Sequence, residues 1–281
     1  MTTLPGTLSP TPRDLEDRTA VVLGAGSIGA GWGIGKAIAL LYARAGAHVI
    51  AADRDLPSAE ETSDLVRREG GSATAVGVDV SDDPGLVACL SDAIAERGGI
   101  DILYFNVGIG KAGPSAATSP ADWRRICDAN LTALHLAATT VLPSMRERRR
   151  GVILATASIA GLRDVGYPHL AYGATKAALI QYLRLLAVEN APYGIRANTV
   201  IPGLIDTPRI EKTVAAAYGA ADLDRMKGLR ASQPPLGRMG DAFDIAEAAL
   251  FLASDRAAYV TGTEILVDGG LAATTRGPTL G

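Results

Sequence analysis

From Thr19 onward, short β-branched apolar runs alternate with longer segments of helical period. Ala20–Leu23 (AVVL) is followed by a glycine-rich stretch and the helical Lys36–Ala45. Ala47–Ala52 precedes Ser58–Glu69, and Ala73–Val78 precedes Asp82–Arg97. Ile100–Phe105 (IDILYF) leads through a Gly/Pro loop to a long helical region, 120–149, and Gly151–Ala155 leads to a helix over 171–190. Ile195–Val200 opens onto an insertion, 204–235, before a helix over 241–252 and a last strand over 264–268. Strands that read as unbroken apolar runs are buried on both faces, the mark of a parallel sheet covered by helices. Seven such alternations predict one doubly wound α/β domain over 15–281, with a seven-stranded parallel sheet and helices on both faces. Ser119-Pro120 supplies a cap and a first-turn proline for the 120–149 helix, and Pro143 is expected to kink its end.

Residues 1–14 (MTTLPGTLSPTPRD) lack this period and read as a flexible arm. They do not read as a signal peptide, because no apolar core follows a basic start. The chain has 281 residues, 48% of them hydrophobic and 20% charged, so it can bury a core without disulfide staples. A net charge of −3 offers no basic surface for nucleic acid. Two cysteines, Cys89 and Cys127, and no unbroken apolar run of membrane-spanning length point to a cytoplasmic protein that does not enter a membrane. The three histidines, His48, His135 and His169, have no metal-ligand spacing with each other or with a cysteine, so no metal site is expected.

The first strand runs into GAGSIGAGWGIG, residues 24–35. A strand, a glycine-rich turn and a helix N-terminus form a phosphate cradle, since backbone N–H groups and the helix dipole meet the anion there. Gly24-x-Gly26-x-x-Gly29 and Gly29-x-x-x-Gly33-x-Gly35 overlap. A helix begun near Ile28 would carry several glycines at about 1 kcal/mol each, so the helix is placed to start near Gly33. Asp53 ends the second strand, where a carboxylate accepts from both adenosine ribose hydroxyls and repels a 2′-phosphate. NAD(H) is therefore expected over NADP(H), with the neighbouring Arg54 the one feature pulling the other way.

Tyr172 and Lys176 stand four residues apart on a predicted helix and so share a face. A cation beside a phenol favours the tyrosinate, and such a tyrosine can exchange a proton with an alcohol or nascent alkoxide near neutral pH. Ser158 follows the fifth strand, at the same C-terminal sheet edge where open α/β sheets bind ligands, and could hydrogen-bond the substrate oxygen.

Taken in order, these motifs resemble the main branch of the short-chain dehydrogenase/reductase superfamily over roughly residues 17–271. The resemblance is carried by the Gly24…Gly33-Ile34-Gly35 loop, Asp79-Val80, Asn106-Val107-Gly108 and Asn130. Ser158, Tyr172-x-x-x-Lys176, Ile201-Pro202-Gly203 with Thr207, and Val267-Asp268-Gly269-Gly270 complete it. It implies a Rossmann-type fold, Tyr172 as acid/base, Ser158 positioning the carbonyl, Lys176 on the nicotinamide ribose, and Asn130 holding a relay water from within a long helix. It implies cofactor contacts from Gly24, Ser27, Gly33 and Ile34, from Asp79 and Val80 at the adenine, and from Asn106 and Gly108. Pro202, Gly203, Ile205 and Thr207 would hold the nicotinamide side. The reaction implied is the NAD(H)-linked interconversion of a small-molecule secondary alcohol and a ketone, by a homotetramer. Reduction of a 3-oxoacyl thioester, oxidation of a cyclic diol, and a catalytically silent nucleotide-binding scaffold are the alternatives; the complete Asn130, Ser158, Tyr172 and Lys176 set argues against the last.

Two departures stand out. Eight residues separate Gly24 from Gly33, where the family normally has three, and Phe105-Asn106-Val107-Gly108 replaces Asn-Asn-Ala-Gly. Enoyl reductases also carry long loops, but they space tyrosine and lysine by seven rather than four. His169 is read mainly as a structural residue of the loop that walls the substrate pocket, and 204–235 as a lid over the nicotinamide.

Overall fold

The computed structural model describes residues 14–210 and 223–274. Seven parallel strands form one sheet in the order β3-β2-β1-β4-β5-β6-β7. They are β1 (Thr19–Leu23), β2 (His48–Asp53), β3 (Ser72–Gly77), β4 (Ile102–Phe105), β5 (Gly151–Thr156), β6 (Ile195–Pro202) and β7 (Glu264–Val267). The helices between them are α1 (Ile34–Arg44), α2 (Leu56–Arg68), α3 (Asp83–Arg97), α4 (Pro120–Cys127), α5 (Ala133–Arg148), α6 (Leu170–Asn190), α7 (Leu223–Ala231) and α8 (Ala242–Ala253). This is the doubly wound Rossmann-type sheet that the alternation predicts.

Central strands are apolar throughout because successive side chains enter two different cores. Ala20 and Val22 of β1, Ile102 and Tyr104 of β4, and Val152 and Leu154 of β5 pack beneath α1 and α8. Val21 and Leu23, Leu103 and Phe105, and Ile153 and Ala155 point the other way, against α3, α5 and α6. Each fully buried large side chain of these layers contributes about 1.5–3 kcal/mol. Among the described residues no helix is long and apolar enough to cross a membrane.

The long helix expected over 120–149 is two helices joined by a π-helical turn, Asp128–Thr132, that contains Asn130. Residues on a π turn keep nearly the side-chain period of an α-helix, so the pattern does not announce it. Helix α5 continues through Pro143 to Arg148. Of the expected N-terminal arm only Asp14 is described, with Oδ2 2.9 Å from Arg256 Nε. Residues 211–222 of the expected lid also lie outside the described residues.

The switch in strand order falls between β1 and β4, so the C-terminal ends of β1, β4, β5 and β6 open onto one edge. Gly24, Asp53, Asp79, Asn106, Ser158 and Gly203 lie at or just beyond the ends of β1 to β6, Tyr172 lies in the first turn of α6 with Lys176 one turn on, and Asn130 lies in the turn between α4 and α5.

Candidate active site

Strand β1 is followed directly by Gly24, whose N–H donates to the Ala52 carbonyl at 2.8 Å and whose φ of +81° is a conformation that favours glycine. Helix α1 starts at Ile34 with Gly33 as its cap, as the cost of helical glycines predicts. It crosses the strand end so closely that a Cβ on Gly35 would lie 1.9 Å from the Gly24 carbonyl oxygen. Between them, Gly26 donates its N–H to Asp53 Oδ2 at 2.9 Å, and Ser27 donates its N–H to Ser58 Oγ at 2.8 Å. Ser27 Oγ donates to the Gly29 carbonyl at 2.7 Å, and Thr62 Oγ1 to the Ala25 carbonyl at 3.0 Å. Helix α2 therefore pins the lengthened loop through Ser58 and Thr62, which sequence reasoning missed. The α1 cap residue, Gly33, has no side chain to bond the helix's first turn, which among the described residues leaves those N–H groups for an anion.

This cradle fits a dinucleotide pyrophosphate. A Cβ on Gly26 would meet Ser58 Oγ at 2.4 Å and one on Gly33 would meet the Gly26 carbonyl at 2.9 Å, so glycine at both positions lets the loop fold closely on itself and on α2 ahead of the α1 N-terminus. Asp53 lies half-buried at the end of β2, its Oδ1 accepting from the Asp55 N–H at 3.1 Å. Each of its oxygens retains a lone pair for a ribose hydroxyl. Asp79 is exposed and accepts from the Ser81 N–H at 2.9 Å, and Val80 beside it is buried.

A polar chain runs from the core to this loop. Tyr104 Oη and Thr156 Oγ1 are 3.0 Å apart, Thr156 Oγ1 donates to Asn106 Oδ1 at 2.9 Å, and Asn106 Nδ2 donates to the Gly24 carbonyl at 2.9 Å. The same Thr156 offers its carbonyl to Lys176 Nζ at 2.7 Å. One residue of β5 thus ties the glycine turn to the α6 lysine.

Lys176 is fully buried, and its second bond goes to the Val107 carbonyl at 3.2 Å. Two of its three N–H groups are so engaged, and the third remains for a ligand. Burial, and then the charge of Arg209, lower its pKa to about 7. Its Nζ sits 5.7 Å from the centre of the Tyr172 ring. Gly108 passes so near that a Cβ there would lie 3.1 Å from Lys176 Nζ.

Tyr172 is half-buried in the first turn of α6, and its hydroxyl makes no hydrogen bond with the described residues. His169, the cap residue of α6, stacks on its ring at 4.6 Å and 15°. Burial, and then Arg209, lower the His169 pKa to about 4, so this imidazole is neutral near pH 7. Its Nδ1 is buried without a hydrogen-bond partner among the described residues. Ser158 accepts the Ala160 N–H at 3.2 Å and caps a short 3₁₀ turn, Ile159–Gly161. That turn docks on α6, where a Cβ on Gly173 would lie 2.8 Å from the Ala160 carbonyl. A Cβ on Gly161 would in turn lie 2.8 Å from the Ala177 nitrogen, so two glycine-permitted contacts set the serine loop against the tyrosine helix.

Asn130 is fully buried and accepts the Ile109 N–H at 2.8 Å. It donates to the Ile109 carbonyl and to Thr175 Oγ1, each at 2.9 Å. Both side-chain donors are spent on protein, so only acceptor atoms of this residue remain for a water. Beyond β6, Gly203 donates its N–H to the Val267 carbonyl at 3.0 Å, and Ile205 pairs in a parallel bridge with Gly240. Thr207 accepts the Ile210 N–H through its carbonyl at 2.9 Å.

Arg209, two residues after Thr207, also escaped the sequence reading. It donates to the Gly108 carbonyl at 2.8 Å, with Cζ 5.8 Å from the centre of the Tyr172 ring. Its place directly after Thr207-Pro208 is the one signal that could have marked it.

A glycine-rich turn beside a serine, a tyrosine and a buried lysine is the arrangement expected of a nucleotide-dependent oxidoreductase site. Comparison with known proteins addresses the family. The family model described as enoyl-(acyl carrier protein) reductase matches residues 29–272. A 3β-hydroxysteroid dehydrogenase from Eggerthella lenta is 36% identical over 261 residues, covering 92% of this chain and 95% of that one. A candidate short-chain dehydrogenase/reductase from Burkholderia xenovorans superimposes with a TM-score of 0.86 at 43% identity, covering 94% of this chain and 99% of that one. A candidate NAD(P)-dependent gluconate 5-dehydrogenase from Beutenbergia cavernae, solved with NADP at low occupancy, gives 0.84 at 35% identity, covering 95% and 100%. The chain belongs to the short-chain dehydrogenase/reductase superfamily. It is an oxidoreductase of the class that acts on CH–OH groups.

Proposed function

We propose that this protein interconverts a secondary alcohol and a ketone and uses NAD(H) in preference to NADP(H). The observation that carries the reading is the fully buried Lys176, held on two backbone carbonyls beside an uncommitted Tyr172 hydroxyl. A nicotinamide, when bound, supplies or accepts the hydride. Tyr172 Oη donates a proton to the carbonyl oxygen in reduction and removes it from the alcohol in oxidation. Ser158 keeps its O–H for that same oxygen, so two donors stabilise the charge that develops there. The ammonium of Lys176 stabilises the phenol oxygen when it gives up its proton and offers its third N–H to a ribose hydroxyl. Asn130 fixes Ile109 and Thr175 to each other and so holds the α5 side of the cleft on α6.

Asp53 supports the cofactor preference, because a carboxylate accepts ribose hydroxyls and repels a 2′-phosphate. The Beutenbergia neighbour holds NADP. The preference here therefore turns on whether Asp53 or the exposed Arg54 governs the ribose, and kinetic constants with both cofactors decide it. The spacing of four between Tyr172 and Lys176 favours carbonyl over carbon–carbon double-bond reduction. The exposed Leu185 and Val188 on α6 support a homotetramer, as do Leu266 in β7 and Tyr259 ahead of it. Light scattering at micromolar protein measures this. The reading itself is tested by following NADH oxidation against a panel of ketones. Consumption dependent on a ketone supports it, and bound NADH with no turnover of any ketone or alcohol supports the silent scaffold.

A further inference from the structure

Tyr172 is the third residue of α6, so no full helical turn precedes it. In a helix interior the preceding turn restricts χ1, and a long side chain leans back over the residues three and four positions before it. Here the residue three before is the cap itself, His169, whose carbonyl accepts the Gly173 N–H at 2.9 Å. Among the described residues none hydrogen-bonds the Tyr172 hydroxyl, so its direction rests on what packs against the ring. The imidazole of His169 lies nearly parallel to that ring, centre to centre 4.6 Å at 15°. Lys176 Nζ and Arg209 Cζ stand further off, 5.7 and 5.8 Å from the ring centre.

His169 is itself held from the loop after β4. A Cβ on Gly110 would lie 2.3 Å from His169 Nε2 and 3.1 Å from Tyr172 Cβ, so this glycine lets the backbone pass against both side chains. A Cβ on Gly108 would lie 3.6 Å from Tyr172 Cε2, at the ring's edge. Between the two glycines, Ile109 is gripped by Asn130 through its N–H at 2.8 Å and its carbonyl at 2.9 Å. Further along, the Gly113 N–H donates to the Pro168 carbonyl at 3.0 Å, next to His169. His169 Nδ1 is buried with no partner among the described residues, so packing rather than a hydrogen bond at that atom holds the imidazole. Neutral near pH 7, it lies on the phenol as an uncharged ring.

We propose that His169 is a positioning residue for the reaction: wedged between the Gly110 backbone and the Tyr172 ring, it fixes that ring and so aims the hydroxyl at the substrate oxygen. This rests on the reading of Tyr172 as acid/base. The two fail differently: retained turnover in Tyr172→Phe sinks the acid/base reading, whereas retained turnover in His169→Ala sinks this proposal alone.

The full chain and its His169→Ala, His169→Phe and Gly110→Ala variants are compared with the best ketone of the panel. Turnover, KM and NADH affinity by fluorescence are measured on each, with a thermal melt. Misplacing a reacting group by a fraction of an ångström slows the chemical step, so His169→Ala should lower kcat by about tenfold or more, with KM and NADH affinity within about twofold. His169→Phe restores a flat ring against Tyr172 and should bring kcat back to within about threefold of the wild type. Gly110→Ala keeps the histidine but drives a methyl group into it. It should lower kcat by about tenfold with NADH affinity kept, and it decides the matter where His169→Ala does not fold. Turnover in His169→Ala or Gly110→Ala within about twofold of the wild type would overturn the proposal. So would equal loss in the alanine and phenylalanine variants, which would give the imidazole nitrogens a direct bond to substrate. A joint fall of kcat, NADH affinity and melting temperature would make His169 a structural residue only, and so would overturn it too.

Discussion

Around Gly24–Gly35, close approaches are made by backbone to backbone, or by backbone to the short side chains of Ser58, Thr62 and Asp53. Around Tyr172 they are made by an imidazole, an ammonium and a guanidinium that face one ring. The first region is shaped by side chains that are missing, and the second by side chains that are packed. Thr156 joins them, its hydroxyl serving the glycine turn through Asn106 and its carbonyl serving Lys176. The contrast teaches where the two kinds of selectivity reside. On the proposed reading, ligand fit at the glycine loop is steric and is lost by adding an atom, and the chemistry at α6 is electrostatic and is lost by removing a charge or a proton.

The sharpest way to break this contrast is to add one methyl group at the loop. Gly35→Ala puts a Cβ 1.9 Å from a backbone oxygen that cannot step aside without moving β1 or α1. Overpacking of this kind costs about 1–3 kcal/mol or more, and a thermal melt should fall by roughly 5 °C or more with NADH binding lost. Unchanged melting and binding would mean that the loop yields and is not sterically set.

Asp53→Asn is the electrostatic counter-test in the same region. It keeps an acceptor for the Gly26 N–H and removes the charge. The ratio of kcat/KM for NADH over NADPH should fall by about 10–100-fold, because carboxylate–phosphate repulsion is lost. A ratio that does not move would assign cofactor choice to Arg54.

A smaller effect concerns the ring stack. His169 holds its proton poorly in the folded protein, with a pKa near 4 against an ordinary 6.5. Between those values the unfolded chain binds the proton and the folded chain does not, so stability rises with pH through the window and falls as the medium is acidified from 6.5 towards 4. His169→Phe keeps the stack and removes the titration. Its melting temperature should fall by about 1–3 °C less than the wild type's between pH 6.5 and 4.5, the side chain being exposed enough for solvent to screen the effect. Equal acid sensitivity in the two proteins would show that burial of His169 does not govern its charge.

Much of this was legible in the chain because it rests on period and on residue type. Alternating burial in two cores makes β1, β4 and β5 continuously apolar, and the cost of helical glycines correctly put the start of α1 at the Gly33 cap. Ser158, Tyr172, Lys176 and Asn130 could be singled out because they fall in motifs of the family that the sequence resembles. What stayed hidden depends on contacts distant in sequence. The Ser58 and Thr62 clamp joins the loop to a helix some thirty residues away, and hydroxyls on an amphipathic helix look like solvated surface. Arg209 meets Gly108 across 101 positions, and a lone arginine after a proline reads as an ordinary exposed charge. The π turn at Asp128–Thr132 is invisible because one extra residue barely disturbs the helical period.

The account's central claim is that the Tyr172 hydroxyl moves the proton while the cofactor is held elsewhere. Tyr172→Phe preserves the ring, its stack with His169 and the helix, and deletes one oxygen. Turnover and NADH affinity are measured on the same preparation, the first with the best ketone of the panel and the second by fluorescence. Turnover is predicted to fall by about 10²–10⁴-fold while NADH affinity stays within about twofold of the wild type. Turnover retained within a few-fold would contradict the claim and leave Tyr172 a packed side chain beside a buried lysine.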